Sequence, residues 1–314
     1  MKLSELENIK NKDYVVFLPS SDWDIKESVE YTFDSVIYID YEPTIQDVQR
    51  TLTFINKNVK QVILFDFCPF FREIIHHIKK EKKVTWVFKN SIAMMTDGGV
   101  RATVSNIMEF TDRRIVDEIA CIDYAAYQVF KELGFHAKHL ILDVERKEEE
   151  EVNSTSIGLL GNDHDPNHNT YNQLSALRMV DYSKLKLVHV MPATKEFISF
   201  FDLKEEPVEN IDEAMRDNCV NLYVNFTGNN FQVILKSMDL GIPCLLGNTD
   251  LFDEYPVLKE YLIMDSDDDI PEIAKRIENA KENREKIMKE YRKFRKEYSK
   301  LSKKSIKEIL VSEV

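Results

Sequence analysis

The chain has few of the residues that interrupt structure. Eight glycines and nine prolines in 314 residues leave little room for a long flexible linker. No stretch reaches the ~18 consecutive apolar residues of a membrane span. The opening MKLSELENIKNKDYVVF is too charged for a signal peptide, so a cytoplasmic protein is expected. Cysteine is scarce as well: Cys68, Cys121, Cys219 and Cys244 stand singly in apolar surroundings, without the spacing of a metal or redox pair. Buried, reduced thiols are the plain expectation. Positive charge falls short of negative, giving a net charge of −13, which argues against a general nucleic-acid binder.

What is present is the composition of a globular protein, 43% apolar and 31% charged, in a chain long enough for two domains. Short apolar runs alternate with amphipathic stretches. YVVFL (14–18), SVIYI (35–39), QVILF (61–65), VTWVF (84–88), EIACI (118–122) and HLILD (139–143) read as buried parallel strands. Helical patterns at 43–57, 69–82 and 123–134 lie between them. The charged and polar segment ERKEEEEVNSTS (145–156) marks a boundary, after which the alternation resumes. SIGLL (156–160), LKLVHV (185–190), NLYVNF (221–226), IPCLL (242–246) and YLIM (261–264) read as strands, with helices near 170–180, 194–202 and 230–240. Asp269 and Glu272, with Pro271 between them, form a capping pair that opens a long helix reaching, with or without a break, toward Leu310. Strand–helix alternation of this kind predicts an α/β chain of two doubly wound, Rossmann-like parallel-sheet domains facing a cleft.

Ligands of open α/β sheets bind beyond the carboxyl ends of the strands. In the second half that rule selects residues 161–169, 191–194, 227–230 and 247–250. The Thr227-Gly228-Asn229-Asn230 loop opens directly onto a helix, whose free N–H groups can hold a phosphate. An ordinary strand-to-helix turn capped by Asn is the competing reading. His164 and His168 are four apart, but Pro166 prevents the regular helix that would align them on a metal. Asp265, Asp267 and Asp269 imitate a calcium loop, yet Ile270 and Arg276 stand where that loop needs Gly and Glu. No metal is expected. In the first half, Thr96 to Arg101 contains Asp-Gly-Gly, which favours a turn with positive φ. From Lys281 to Lys307 twelve Lys or Arg stand against four Glu. A solvated helix laced with ion pairs and an anionic-surface contact at the inner membrane face are both open readings.

The segment NFTGNNFQVILKSMDLGIPCLLGN resembles the donor-binding segment of the family 4 retaining glycosyltransferases, which have the GT-B fold. Gln232 to Leu235, Ser237, Met238, Gly241, Ile242, Pro243 and Cys244 stand where that pattern expects similar residues. SIGLLGN…NHNTYNQLSAL resembles the family's first strand, phosphate loop and helix. The likeness covers about 157–280. It implies an acceptor-side domain at 1–150, a donor-side domain at 151–290, and a carboxy-terminal helix at 291–314 that returns to the first.

The implied activity is transfer of a sugar, of the hexosyltransferase type, from a UDP- or GDP-linked donor to a glycan, lipid-linked or protein acceptor. Retention of configuration, independence of metal and the absence of a cofactor are implied too. Donor-side candidates are Gly161, Asn162, His168, Met191, Thr194, Thr227, Gly228, Asn229, Asn230 and Lys236; acceptor-side candidates are Ser20, Ser21, Asp97 and Gly98. Lys236 and Asn90 are the candidates for catalysis. The chain departs from the pattern at both glutamates, which Gly228 and Lys236 replace. It also lacks the diphosphate-neutralising Arg and Lys, and Lys89-Asn90-Ser91 occupies the stretch where relatives often carry a His. An active enzyme using Lys236 at the diphosphate and a catalytically silent homologue that binds a partner both fit these departures. In the second, Lys236 fills the old pocket or pairs with Asp239 or Asp250. A GT-B epimerase would need cleft carboxylates and a His that the sequence does not place. A homo- or hetero-oligomer stays open.

Overall fold

The structure, a computed structural model, describes residues 6, 9, 13–22, 25–39, 43–152, 154–161, 164–188, 190–226 and 230–310. The chain divides into two compact units, residues 1–145 with 298–314, and residues 146–297.

In the first unit the order is β1 (Tyr14–Pro19), α1 (Lys26–Thr32), β2 (Val36–Ile39), α2 (Ile45–Asn58), β3 (Gln61–Phe65), α3 (Pro69–Ile75), β4 (Lys83–Phe88), α4 (Gly98–Asp112), β5 (Glu118–Cys121), α5 (Tyr124–Glu132) and β6 (Ala137–His139). All six strands are parallel, in the order β2-β1-β3-β4-β5-β6. Both faces of β1, β3 and β4 are buried, which is why these strands read as unbroken apolar runs rather than alternating ones. Trp86 is fully buried, stacked on Phe110 of α4 and edge-on to Phe71 of α3.

The second unit runs β7 (Ile157–Leu159), α6 (Thr170–Ala176), β8 (Leu185–Val188), α7 (Pro192–Phe200), β9 (Glu205–Val208), α8 (Ile211–Met215), β10 (Val220–Tyr223), α9 (Phe231–Asp239), β11 (Cys244–Leu246), α10 (Pro256–Leu262) and α11 (Ile270–Glu282). Its five strands are parallel in the order β11-β10-β7-β8-β9. The last helix, α12 (Arg284–Ile309), begins in the second unit, and its residues from Tyr298 onward belong to the first. Gly241 between α9 and β11 has φ 83°, a left-handed conformation that explains the glycine of the Gly-Ile-Pro turn.

Several elements differ from the sequence reading. The sixth strand is Ala137–His139 rather than 139–143. Beyond it, side chains of α12 take over the hydrogen bonding: the Ser305 hydroxyl accepts from the Ile141 N–H, and the Tyr298 hydroxyl donates to the Leu142 carbonyl. Residues 261–264 are not a strand. Pro256 starts a helix that runs through Leu262, and only Ile263 bridges to Leu246. Helix α3 stops at Ile75, well short of residue 82. Gly98 and Gly99 do not form a positive-φ turn, because the Asp97 carboxylate accepts from the N–H groups of Gly99 and Val100 and caps α4. The break left open in the long helical stretch from Asp269 falls at Asn283; Asp269 caps the first part by accepting from Glu272 N–H. Strand β9, with the sequence Glu-Glu-Pro-Val, is an addition to the expected elements.

Candidate functional site

Strand order locates the ligand-binding edge of each sheet. In the first, the chain moves outward from β1 to β2 and then returns across it to β3, so the connections diverge between β1 and β3. In the second they diverge between β7 and β10. The carboxyl ends beside these switch points are where such sheets bind ligands.

At the first switch point three charged side chains meet from three strand ends. Asp22 follows β1, Asp66 follows β3 and Lys89 follows β4. The Lys89 ammonium is 3.0 Å from an Asp22 oxygen and 3.9 Å from an Asp66 oxygen, and the three side chains are only 14%, 9% and 15% exposed. Asp66 is fixed from several sides. Thr103 in α4 donates to its carboxylate at 2.9 Å, Asn90 donates at 3.4 Å, and the Trp86 indole donates to its carbonyl. Its φ of 49° lies in the left-handed region, which Asp tolerates better than most residues. Cys68 nearby has its thiol pushed up to about 12, mainly by burial and further by the charges of Asp22 and Asp66. It therefore stays a thiol at neutral pH.

The second switch point is built from amides. Gln173 in α6 lies beside the continuation of β10, accepting from Val224 N–H at 3.1 Å and donating to the Val224 carbonyl at 3.3 Å. The same amide donates to the His168 carbonyl at 2.7 Å, closing the loop after β7. His168 sits in a 3-10 turn, Pro166–His168, against Gly161, and its ring is 6.0 Å from that of Tyr223. Asn169, at φ 52°, donates to the Asp267 carbonyl. Asp267 in turn accepts from Asn248 N–H at 2.6 Å, and burial raises its carboxyl above the usual range. A Cβ on Gly247 would lie 2.0 Å from the Asn225 carbonyl oxygen, so only glycine allows β11 to end this close to the chain leaving β10.

Asn225 is the unusual member of this edge. It is 1% exposed, and among the described residues neither its amide nitrogen nor its amide oxygen has a hydrogen-bond partner. Asn221, Tyr223 and Asn225 alternate onto one face along β10, and Asn221 donates to Ser237 of α9, so that face is the one under α9. Buried amides are ordinarily satisfied.

The remaining candidates are scattered more widely. Asn230 caps α9, its side chain accepting from Gln232 N–H at 3.0 Å. Thr194 is buried within 3.3 Å of the Tyr171 hydroxyl, while Met191 caps α7 in the open. Asn162, Thr227, Gly228 and Asn229 lie outside the described residues. Ser20 and Ser21 are exposed just after β1, and Asp97 and Gly98 lie exposed where α4 begins. Asn90 joins the Asp66 cluster. Lys236 sits in a small cavity lined by Lys147, Asp212, Met215, Arg216 and Leu240, its ammonium 3.7 Å from Asp212. Its carboxylate partner is thus neither Asp239 nor Asp250; Asp239 is engaged by Tyr291 and Arg295. The Asp22–Asp66–Lys89 cluster escaped the sequence reading. Its signal was there, since Asp66 and Lys89 each directly follow a strand. Among the described residues no three His, Cys, Asp or Glu gather as metal ligands, and no helix is long and apolar enough to cross a membrane.

No family model and no curated protein matches the chain. Solved structures do. HepE from Anabaena, in complex with UDP and glucose, matches with a TM-score of 0.65 at 9% identity, over 92% of this chain and 95% of its own. TarM from S. aureus, solved with UDP among its ligands, matches at 0.63 and 10% identity over 83% of this chain. Both are GT-B glycosyltransferases. The chain has the GT-B fold. It covers 57% of TarM, a little over half of that protein's length. A Listeria monocytogenes protein named as a UDP-N-acetylglucosamine 2-epimerase also matches, at 0.57 and 12% identity over 88% of this chain and 91% of its own. The GT-B fold thus leaves the reaction to be argued from the site.

Proposed function

We propose that this GT-B chain is a glycosyltransferase, with a UDP-linked sugar donor held at the carboxyl edge of the second unit and an acceptor hydroxyl at that of the first. The observation that carries the reading is Lys89 between Asp22 and Asp66 at the first switch point. Removing charges from water costs several kcal/mol per ion, and well-packed apolar residues often serve a fold equally well. A cluster of this kind at a ligand-binding edge suits recognition of hydroxyl groups, which donate to carboxylates and accept from an ammonium.

Transfer breaks the bond between the sugar's anomeric carbon and the diphosphate oxygen, and forms one to the acceptor oxygen. The acceptor's proton passes to the departing diphosphate. The chain's contribution is orientation of the acceptor and stabilisation of the leaving charge. UDP is favoured over GDP because HepE and TarM were both solved with UDP. The test is a thermal-shift series with UDP, GDP, ADP and CMP. Ligand at a hundred times its dissociation constant adds about 2.7 kcal/mol of stability. A shift with UDP and its sugars supports the reading, and incubation with UDP-sugars and candidate acceptors should then release UDP.

One observation favours a second reading, a catalytically silent homologue. Lys236 occupies the position where the resembled family places a glutamate, and its ammonium lies beside Asp212. An ammonium cannot accept hydrogen bonds from a ribose. A flat response to every nucleotide and nucleotide-sugar would decide for that reading.

A further inference from the structure

Helix α12 presents two unlike faces over its 26 residues. Ile287, Tyr291, Phe294, Tyr298, Ser302 and Ile309 are buried along one side. On the other, Lys289, Lys293, Lys296, Lys300, Lys303 and Lys307 are all exposed. Their spacings of four, three, four, three and four keep them in one stripe. At 1.5 Å per residue the stripe is about 27 Å long.

A solvated helix of this composition would ordinarily be laced with ion pairs, and this face is not. Lys293 pairs with Glu290 at 2.7 Å. The other five lysines have no carboxylate within 4.0 Å among the described residues. The arginines of the helix are occupied elsewhere. Arg292 forms a two-pronged pair with Glu149, Arg295 is buried on Asp239, and Arg284 donates to the Gly241 carbonyl. What remains, among the described residues, is a line in which five of six ammonium groups have no carboxylate within 4.0 Å, on a protein whose net charge is −13.

We propose that this lysine stripe docks α12 on an anionic lipid bilayer. Two features select a membrane over the other polyanions. The stripe contains no arginine, the residue suited to directional, bidentate capture of individual phosphates, whereas lysines act as hydrated point charges in a diffuse field. It contains no aromatic side chain on which a nucleic-acid base could stack. The acidic remainder of the protein is repelled by an anionic surface, so contact through α12 fixes a single orientation.

Each lysine at an anionic membrane surface contributes about 1 kcal/mol, so each one removed weakens binding about fivefold. The experiment is co-sedimentation of the full chain with phosphatidylcholine vesicles, with and without phosphatidylglycerol. Three proteins are compared: the wild type, Lys296→Glu/Lys300→Glu/Lys303→Glu, and a charge-matched control, Lys57→Glu/Lys80→Glu/Lys275→Glu, altered at exposed sites on other helices and loops. Binding only to the anionic vesicles, weakened by salt, lost in the stripe variant and kept in the control is the expected result. Absence of binding at low salt, equal loss in both variants, or binding indifferent to salt would overturn the proposal. Circular dichroism of the stripe variant confirms that its helix is intact. Preference for an RNA homopolymer over the anionic vesicles would overturn it as well.

Discussion

At the carboxyl edge of the first sheet, full charges hold the loops: Asp22 and Asp66 share Lys89 with little access to water. At the equivalent edge of the second sheet, side-chain amides do most of the same task, with the Asp267 carboxylate holding Asn248. Gln173 bridges two loops, Asn169 reaches Asp267, and Asn225 is buried with no partner for its amide among the described residues. The two edges sit at the same topological position of two parallel sheets, so the fold by itself does not require the contrast. A charged edge suits neutral polyols, because hydroxyl groups satisfy both carboxylate and ammonium. An edge held mainly by amides beside a helix start suits a ligand that brings its own negative charge better than an edge held by full charges of both signs.

Breaking the first edge should have the largest effect. Lys89→Met removes the cation that two buried carboxylates share, and a loss of about 3–5 kcal/mol is expected in urea unfolding. A loss under 1 kcal/mol would mean that the cluster is well hydrated and that the contrast is weak. The second edge should fail through sterics instead. In Gly247→Ala the new methyl would meet the Asn225 carbonyl at 2.0 Å, and about 1–3 kcal/mol should be lost because backbone, not a mobile side chain, has to move.

Asn225→Leu sharpens the comparison by sign. It removes an unsatisfied buried amide at similar volume, so the ligand-free protein should gain about 1 kcal/mol in melting experiments. The stabilisation by UDP should fall at the same time. A stability loss would show that the amide is satisfied in solution, by water for instance.

The smallest effect concerns pH. Burial raises the Asp267 carboxyl in the folded protein. The native state then holds a proton that the unfolded state has released, so this group's contribution falls as pH rises from the ordinary carboxylate range through the raised value. Asp267→Asn keeps an oxygen to accept from Asn248 and should make the stability–pH profile flatter on that rise. An unchanged profile would show that Asp267 titrates normally.

Much of the architecture was legible because buried parallel strands leave a coarse signature. QVILF and VTWVF are almost wholly apolar, and NLYVNF sets Leu222, Val224 and Phe226 on one face against Asn221 and Asn225 on the other. Legibility failed where packing is supplied from elsewhere. HLILD looks like a full strand, but Ser305 and Tyr298, more than 150 residues away in sequence, take over its hydrogen bonds. Glu-Glu-Pro-Val looks like a loop, yet it lies at the sheet's edge, where charge and proline are tolerated and discourage further pairing. The carboxyl-edge loops could be named from strand order alone. Which side chains meet there could not, since Lys236 was a natural candidate and Asp66 was not.

The sequence by itself determined the alternation of strand and helix, the break near residue 145, the Gly-Ile-Pro turn and the lysine spacing of the last helix, all of them properties of neighbouring residues. Tertiary structure alone decided that Lys89 joins Asp22 and Asp66, that Lys236 lies beside Asp212, and that five lysines of the α12 stripe have no carboxylate within 4.0 Å among the described residues. Those outcomes depend on which residues distant in sequence come within a few ångströms, and no local pattern encodes that distance.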